Sequence, residues 1–316
     1  MNKISVVICH HTGNLIDRCL KSLEGLDVEI IVVTSDLQWR TNKHIQVLYT
    51  KQNEPTWKRN IGSLYAKGKY TCFLDDDVEV SEHCLRRMAD ILDKESDIGM
   101  IYATLYKMNN HEVIDTSGSF LSWNGFLYET YIRRYKEVVT PILSAKSACC
   151  MIRKDVFYAT GTFDNDYVIY GEETDLSWRV WQLGYKVVIH NDAIAYHAFE
   201  TPLKPRSYYN QKYIHYNGCK NYITTLIKNL PLERMYMVGI NFMIWLFMGC
   251  CLWCRNRQGG KWIFQGLWYN VTHLNYIWKK RIKKADHSYW KTIRKDPPIS
   301  YYFGRFNDYL QIGHHG

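Results

Sequence analysis

Short, uninterrupted apolar runs recur through the first hundred residues. Between them lie segments whose apolar positions fall three and four apart. ISVVIC (4–9), EIIVV (29–33), IQVLYT (45–50), YTCFL (70–74) and IGMIYA (98–103) read as buried strands. NLIDRCLKSLEGL (14–26), WKRNIGSLYAKG (57–68) and SEHCLRRMADIL (81–92) read as helices, the first with Leu15, Cys19, Leu23 and Leu26 on one face. Gly68 is placed to end the second helix and Ser81 to cap the third. Continuous apolar strands alternating with amphipathic helices predict βα units, hence an α/β fold with a mostly parallel sheet. Residues 104–150 show no clear period. After them SACCMI (147–152) reads as a strand, and GEETDLSWRVWQLGYKVVIH (171–190) as turn, helix, a Gly184 cap and strand.

The pattern changes near residue 200. Residues 201–316 hold 18 Lys and Arg against 4 Asp and Glu, whereas residues 1–200 hold 22 against 27. Six of the eleven tryptophans fall in the basic part. Residues 235–254, MYMVGINFMIWLFMGCCLWC, carry no charge over a length able to span a bilayer. Basic residues flank them on both sides (Lys228 and Arg234; Arg255, Arg257 and Lys261), which gives a single span little orientation bias. A single span would also export KKRIKK (279–284). A second aromatic segment, 262–278, is broken by Gln265, Asn270, His273 and Asn275. The expectation is a set of helices lying in the cytoplasmic membrane interface, or a re-entrant hairpin. A buried helical subdomain or a homodimer interface is the competing reading. In the membrane-interface reading Lys279 to Lys284 would meet anionic headgroups, at roughly 1 kcal/mol per basic residue. Nucleic acid is disfavoured as a partner, because the charge accompanies a long apolar stretch rather than a recognition module. The N-terminus has no signal-peptide pattern, so the ten cysteines are expected to be reduced and mostly packed. The single C-x-x-C at Cys251 and Cys254 lacks the second pair of a zinc site, and NVT (270–272) fits a glycosylation sequon without meaning in a cytoplasmic chain.

Candidate chemistry begins at CFLDDDVEV (72–80). Side chains alternate along a strand, so Asp75 and Asp77 are expected to point one way and Asp76 another. Two carboxylates on one side make a hard-oxygen site suited to Mg²⁺ or Mn²⁺, and a bound cation removes their repulsion. A solvated acidic turn is the bland alternative. A second cluster, YGEETDL (170–176), puts Glu172, Glu173 and Asp175 at a helix start, where acids also favour the helix dipole and Thr174 or Asp175 is placed to cap. His197 in AIAYHAF (193–199) follows a short apolar strand. Together these residues suggest metal-assisted group transfer.

In this order and spacing the motifs resemble the family 2 inverting glycosyltransferases of GT-A fold. The resemblance rests on SVVICHHTGNLIDRCLKSL, KRNIGSLYAKGKYTCFLDDDVEV and the segment from SACCMI through NDAIAYH, and covers most of residues 4–200. Within that family the chain looks most like rhamnosyltransferase-type enzymes of bacterial surface polysaccharide assembly. The resemblance implies a GT-A catalytic domain at 1–205, with a nucleotide-sugar half at about 1–103 and an acceptor half at about 104–205. A basic, Trp-rich, helical membrane-associating region follows at 206–316. It implies that Asp75 and Asp77 hold the divalent metal on the donor diphosphate, with His197 able to complete the shell and Asp76 near the ribose or sugar. Glu173 is then the general base, Glu172 orients acceptor or sugar, and Arg59 and Asn60 line the nucleotide pocket. The expected reaction is non-processive and metal-dependent. A sugar is expected to pass from a dTDP-rhamnose or UDP-sugar type donor to a hydroxyl of a polyprenyl-diphosphate-linked glycan, at the cytoplasmic face of a bacterial inner membrane. Acceptors of protein or teichoic-acid type are the variant reading.

The chain also departs from the family pattern. The first strand ends CHHTGN where Pro is usual, so His10 and His11 are placed to line the base pocket. The second ends VVTSD, which leaves Asp36 to substitute, two residues late, for the usual base-contacting acid. Glu173 stands where Asp is more common, adding one methylene of reach. A processive synthase is disfavoured by the lack of a Q-x-x-R-W element and of several convincing spans. A sugar-phosphate nucleotidyltransferase is disfavoured by the lack of a Gly-rich N-terminal loop. The remaining class, a membrane-bound non-catalytic assembly subunit, sits poorly with a full set of acids.

Overall fold

The computed structural model describes residues 3–41, 45–198 and 212–304, residue 256 excepted. The apolar runs form β1 (Ile4–His10), β2 (Glu29–Thr34), β3 (Gln46–Tyr49), β4 (Tyr70–Asp75), a short β5 (Val78–Val80) and β6 (Ile98–Lys107). The amphipathic segments form α1 (Leu15–Ser22), α2 (Pro55–Tyr65) and α3 (Cys84–Lys94). The stretch without a readable period folds as β7 (Asn110–Thr116), a separate hairpin of β8 (Ser119–Leu121) and β9 (Leu127–Glu129), and β10 (Val139–Pro141). Then come β11 (Cys149–Arg153), α4 (Lys154–Ala159), α5 (Glu172–Gln182) and β12 (Lys186–His197).

Ten strands make one mixed sheet of order β10-β12-β6-β11-β4-β1-β2-β3, with β5 paired to β12 and β7 to β6. β1, β2, β3 and β4 are mutually parallel, while β11 runs antiparallel between β4 and β6. This is the predicted mixed, mostly parallel sheet flanked by helices. Alternation sorts its side chains onto two faces. Val7, Ile31, Val33 and Phe73 belong to one buried cluster, and Val6, Ile8, Val32, Cys72 and Leu74 to another. Both faces are covered, which is why these strands read as continuous apolar runs. Each such side chain contributes about 1.5–3 kcal/mol on burial.

Two predicted caps are corrected. α2 ends at Ala66 in extended geometry, and Gly68 serves close approach instead: a Cβ there would stand 2.7 Å from the Ser5 backbone nitrogen. α3 starts after His83, and Ser81 spends its N–H on the Ile194 carbonyl at 3.0 Å. Gly184 does close α5, at φ 84°, its N–H donating to Trp181 O at 2.9 Å.

The C-terminal part is helical, as expected. A π-helical turn (Tyr213–Asn217) leads into α6 (Gly218–Asn229), then α7 (Tyr236–Arg255), α8 (Arg257–Thr272), α9 (Leu274–Lys279) and α10 (Trp290–Ile293). The boundary placed at 205/206 lies outside the described residues. Apolar packing does not stop there. Leu226, Leu230, Met237, Tyr289 and Ile293 share one buried cluster with Trp178 and Trp181 of α5. The Trp178 indole donates to the Tyr289 hydroxyl at 2.9 Å.

Several of the basic residues read as surface charge turn inward. Lys228 pairs with Asp164 (2.7 Å) and Asp175 (2.8 Å), and Lys280 with Asp164 and Asp166 (2.7 Å each). Arg281 donates to the Ile227 and Leu230 carbonyls. Of KKRIKK, then, Lys279, Lys283 and Lys284 are exposed. Asn270 of the sequon is buried and bonded to Thr224, Lys220 and Gly266, so a glycan has no access to it.

Candidate active site

β1, β2 and β4 are parallel, so their carboxyl ends share one edge of the sheet, and Asp75 stands beside Cys9 there. Such an edge is where open α/β sheets bind ligands. Asp76 and Asp77 form the tight turn into β5. Turn geometry rather than strand pleating therefore separates the three aspartates, a correction to the reason expected, though the sorting is the expected one. Asp77 folds inward to 1% exposure, while Asp76 turns to His10, its Oδ2 lying 2.8 Å from Nδ1.

His197 is the last residue of β12, and the antiparallel register sets it opposite Val78. That pairing brings its ring to the aspartate turn. Its Nε2 lies 3.5 Å from Asp77 Oδ1, and its Nδ1 lies 2.9 Å from Asp115 Oδ2. One donor atom each from Asp75, Asp77 and His197 all fall within 4.8 Å of one another. Burial alone would discharge this histidine, but Asp77 and Asp115 hold its proton and lift it to about 9. Asp115 is itself buried, yet His197 and Lys146 (3.1 Å to both oxygens) hold its carboxyl below the usual aspartate range. Two carboxylates and an imidazole steered by a carboxylate behind it are a donor set that fits Mg²⁺ or Mn²⁺. Asp115 lay in the stretch without periodicity, so no sequence signal pointed to it.

The second acid cluster sits on α5, whose N-cap is Gly171 at φ 82°, preceded by Tyr170 at φ 69°. No side chain caps this helix. Asp175, placed in sequence as a candidate cap, is instead fully buried on the far side. It accepts from Arg179 (2.8 Å), Lys228 (2.8 Å) and Asn229 (2.9 Å). Glu172 reaches toward Asp75 through Arg59, and Glu173 stands beside Glu172 within the influence of Arg59. Burial, then the charge of Glu172, push the Glu173 carboxyl well above the ordinary glutamate range, with Arg59 pulling weakly the other way.

Arg59 joins the two clusters. It is 3% exposed, and its guanidinium donates to Asp75 Oδ1 at 2.9 Å and to Glu172 Oε1 at 3.1 Å over the ring of Phe163. Assigned by the resemblance to the lining of the nucleotide pocket, it stands between the two groups of acids. Asn60, one residue on, faces away, its amide spent on Phe163 and Asn165. At the β1–β2 edge the His10 ring is buried against Trp39, with centroids 5.0 Å apart. The His11 N–H donates to Asp76 at 3.2 Å, and burial followed by Lys58 lowers the affinity of its ring for a proton. Asp36 turns back on its own loop, with Oδ1 accepting from the Gln38 and Trp39 N–H groups. Lys58, hidden in sequence as one cation among many, is 2% exposed. It donates to His10 O, Ser35 Oγ and Asn53 Oδ1 at 2.7–3.0 Å, tying the ends of β1 and β2 to the loop before α2.

A mixed α/β sheet with an aspartate turn at a strand end, a histidine beside it and a paired-glutamate helix facing them defines the GT-A class. Residues 5–161 match the glycosyl transferase family 2 model. Among curated proteins none matches by sequence. Solved structures share the fold at low identity. GalNAc-T7 with UDP, GalNAc and Mn²⁺ superposes with a TM-score of 0.59 at 16% identity over 85% of this chain and 57% of its own. A Pyrobaculum calidifontis mannosyltransferase with GDP-Man and Mn²⁺ gives 0.54 at 10% identity over 85% and 87%. S. aureus TarS 1-349 with UDP-GlcNAc gives 0.52 at 17% identity over 74% and 69%. The chain therefore spans little more than half the length of the first of these.

Proposed function

We propose that the protein transfers a sugar from a nucleoside-diphosphate donor to a hydroxyl of a glycan acceptor, in one inverting displacement assisted by a divalent cation. The observation that carries this reading is the Arg59 bridge. One buried guanidinium joins Asp75 of the aspartate turn to Glu172 of α5.

Asp75, Asp77 and His197 would hold the cation, which when bound neutralises the charge growing on the departing diphosphate. Asp115 fixes the His197 ring so that Nε2 faces that position. Glu173 takes the proton of the acceptor hydroxyl as its oxygen attacks the anomeric carbon from the face opposite the leaving group. A carboxyl pushed upward by burial and by Glu172 is suited to that task near neutral pH. Glu172, held by Arg59, keeps its position beside the base and is placed to orient the acceptor. The His10–Trp39 pair and the Lys58-braced loop offer a surface for the nucleotide base.

A dTDP-rhamnose or UDP-sugar type donor and a lipid-linked glycan acceptor in surface polysaccharide assembly are the substrates we favour, on the motif resemblance. UDP-GlcNAc and GDP-Man, seen in structures of the same fold, widen the donor panel to test. The decisive experiment is donor hydrolysis and transfer across a panel of nucleotide sugars with Mn²⁺ or Mg²⁺, for the wild type, Asp77→Asn and Glu173→Gln. Asp77→Asn is expected to lose both Mn²⁺ binding by calorimetry and turnover. Glu173→Gln is expected to bind Mn²⁺ and nucleotide normally yet transfer about 10²- to 10⁴-fold more slowly. Unchanged turnover in both folded variants would leave the non-catalytic subunit as the surviving reading.

A further inference from the structure

Beside the α5 glutamates stands a third carboxylate that no sequence motif marks. Glu129 ends β9, in the hairpin that lies apart from the main sheet. A two-stranded hairpin is marginally stable by itself, and this one is held from two sides. On one side it reaches the start of α5. Glu129 pairs across the hairpin with Ser119, and the Ser119 N–H donates to Ser144 O at 2.6 Å. The Ser144 hydroxyl lies 3.0 Å from that of Thr174, the residue after Glu173. On the other side the segment after α10 is laid along it. The Lys295 N–H donates to Leu121 O at 3.1 Å, the Trp123 N–H to Asp296 Oδ1 at 2.7 Å, and the Glu129 N–H to the Tyr301 hydroxyl at 3.2 Å. The Tyr301 ring meets those of Phe126 and Tyr128 edge-on, at 6.4 and 5.6 Å. The backbone that carries Glu129 is thus fixed relative to α5.

The Glu129 side chain is half-buried, and its Oε2 accepts from the Tyr131 hydroxyl at 2.9 Å. Among the described residues no Lys or Arg pairs with it. Its charge reaches Glu173, adding to the upward push of burial and of Glu172. Three carboxylates therefore feel one another's charge at the start of α5, and Arg59 donates to one of them. Such repulsion is a cost that packing alone does not explain. A second observation points to a ligand. Glu172 is 6% exposed, Arg59 occupies its Oε1, and its Oε2 is buried without a hydrogen-bond partner. A buried acceptor left unmet is costly and calls for a donor. Hydroxyl groups donate to Glu172 and Glu129 alike, whereas an anionic group would be repelled by all three acids.

We propose that Glu129 is an acceptor-binding residue. Together with Glu172 Oε2 it receives the hydroxyls beside the one that Glu173 deprotonates, and so selects a neutral sugar with free neighbouring hydroxyls over an acidic one. Tyr131 holds one carboxylate oxygen of Glu129 and leaves the other to the sugar. The proposal rests on the transfer reading and deepens it by naming the class of acceptor.

The test uses the full chain with Mn²⁺ and has two readouts. The first needs no substrate. Carbon-13 NMR of glutamate-labelled protein follows the Glu173 carboxyl, identified by its loss in Glu173→Gln. Glu129→Gln is close to isosteric and removes one negative charge, so Glu173 should titrate at lower pH than in the wild type. The second readout is transfer from the donor that the nucleotide-sugar panel selects, with neutral octyl hexosides and the matching octyl uronides as acceptor probes. The wild type should prefer the neutral probe at least about tenfold in kcat/KM. Glu129→Gln should raise KM for that probe roughly 10- to 100-fold, the loss of one hydrogen bond to a charged group, and narrow the preference. An unmoved Glu173 titration would overturn the placement of Glu129 beside the base. Unchanged KM for the neutral probe would overturn its acceptor role, and equal use of both probes by the wild type would overturn the selection. A wild type that turns over no donor would sink the transfer reading and the acceptor role with it. The titration separates that result from a misplaced Glu129.

Discussion

Arg59 holds one charge between two carboxylates that belong to different tasks, Asp75 on the cation side and Glu172 beside the base. Replacing it with methionine removes the cation that lowers Glu173. A base works only when deprotonated, so a carboxyl raised further needs a higher pH before it acts. Arg59→Met is therefore expected to move the acid limb of the pH profile of kcat/KM upward relative to wild type, with Mn²⁺ affinity measured separately by calorimetry. A limb that stays in place would mean Arg59 acts on structure alone. Asp115 predicts a second effect at this scale. Asp115→Asn keeps shape and loses the charge that orients His197, so Mn²⁺ affinity should fall about 10- to 100-fold with little change in nucleotide binding. Sequence pattern singled out Asp75, Asp77 and His197, whose donor atoms lie within 4.8 Å of one another, and Glu172, which shares Arg59 with Asp75; each sits at a strand or helix end. Asp115 and the bridging role of Arg59 were invisible, because a partner across the sheet leaves no mark on the local period.

The element on which the site depends most is α5, and its far side is held by charge. Asp175 is buried with Arg179, Lys228 and Asn229 around it, and Lys228 continues to Asp164. Burial would raise the Asp175 carboxyl, but Arg179 and Lys228 bring it below the usual aspartate range. A depressed folded pKa contributes stability above the unfolded value, and that stability is lost as pH falls through the folded one. Asp175→Asn leaves Arg179 buried without its carboxylate and Lys228 with Asp164 alone, and is expected to destabilise by about 3–5 kcal/mol, read by urea melts. The difference from wild type should shrink as the pH is lowered into the acid range. At α2, Gly68→Ala would drive a methyl into the Ser5 backbone and should cost about 1–3 kcal/mol. Gly68 looked like a helix cap because sequence shows a glycine's position but not what lies across from it.

Across the whole molecule, the two halves seen in composition share one core. Tyr289 and Ile293 pack with Trp178 and Trp181, and Leu226, Leu230 and Met237 lie in the same cluster. A chain ending at residue 205 would leave those tryptophans facing water. It is expected to lack cooperative thermal unfolding by circular dichroism, whereas the full chain should melt in one transition. A sharp melt from 1–205 alone would show that the composition break is also a folding boundary. The inward turn of Lys220, Lys228, Lys280 and Arg281 shows why net charge overstates the basic surface: four of the tail's cations are bonded within the protein.

Local pattern determined the strands, the α/β class, the helical tail and the sheet edge where the acids stand, because burial on both faces and helical spacing are written in neighbouring residues. It also placed the acids in two groups. Only the tertiary structure decided that β12 returns antiparallel to β5 and delivers His197 to Asp77, that Arg59 joins the groups, and that Asp175 faces away. Those outcomes depend on pairings between residues far apart in the chain, and the free energy that selects them exists only once both partners are packed and desolvated together.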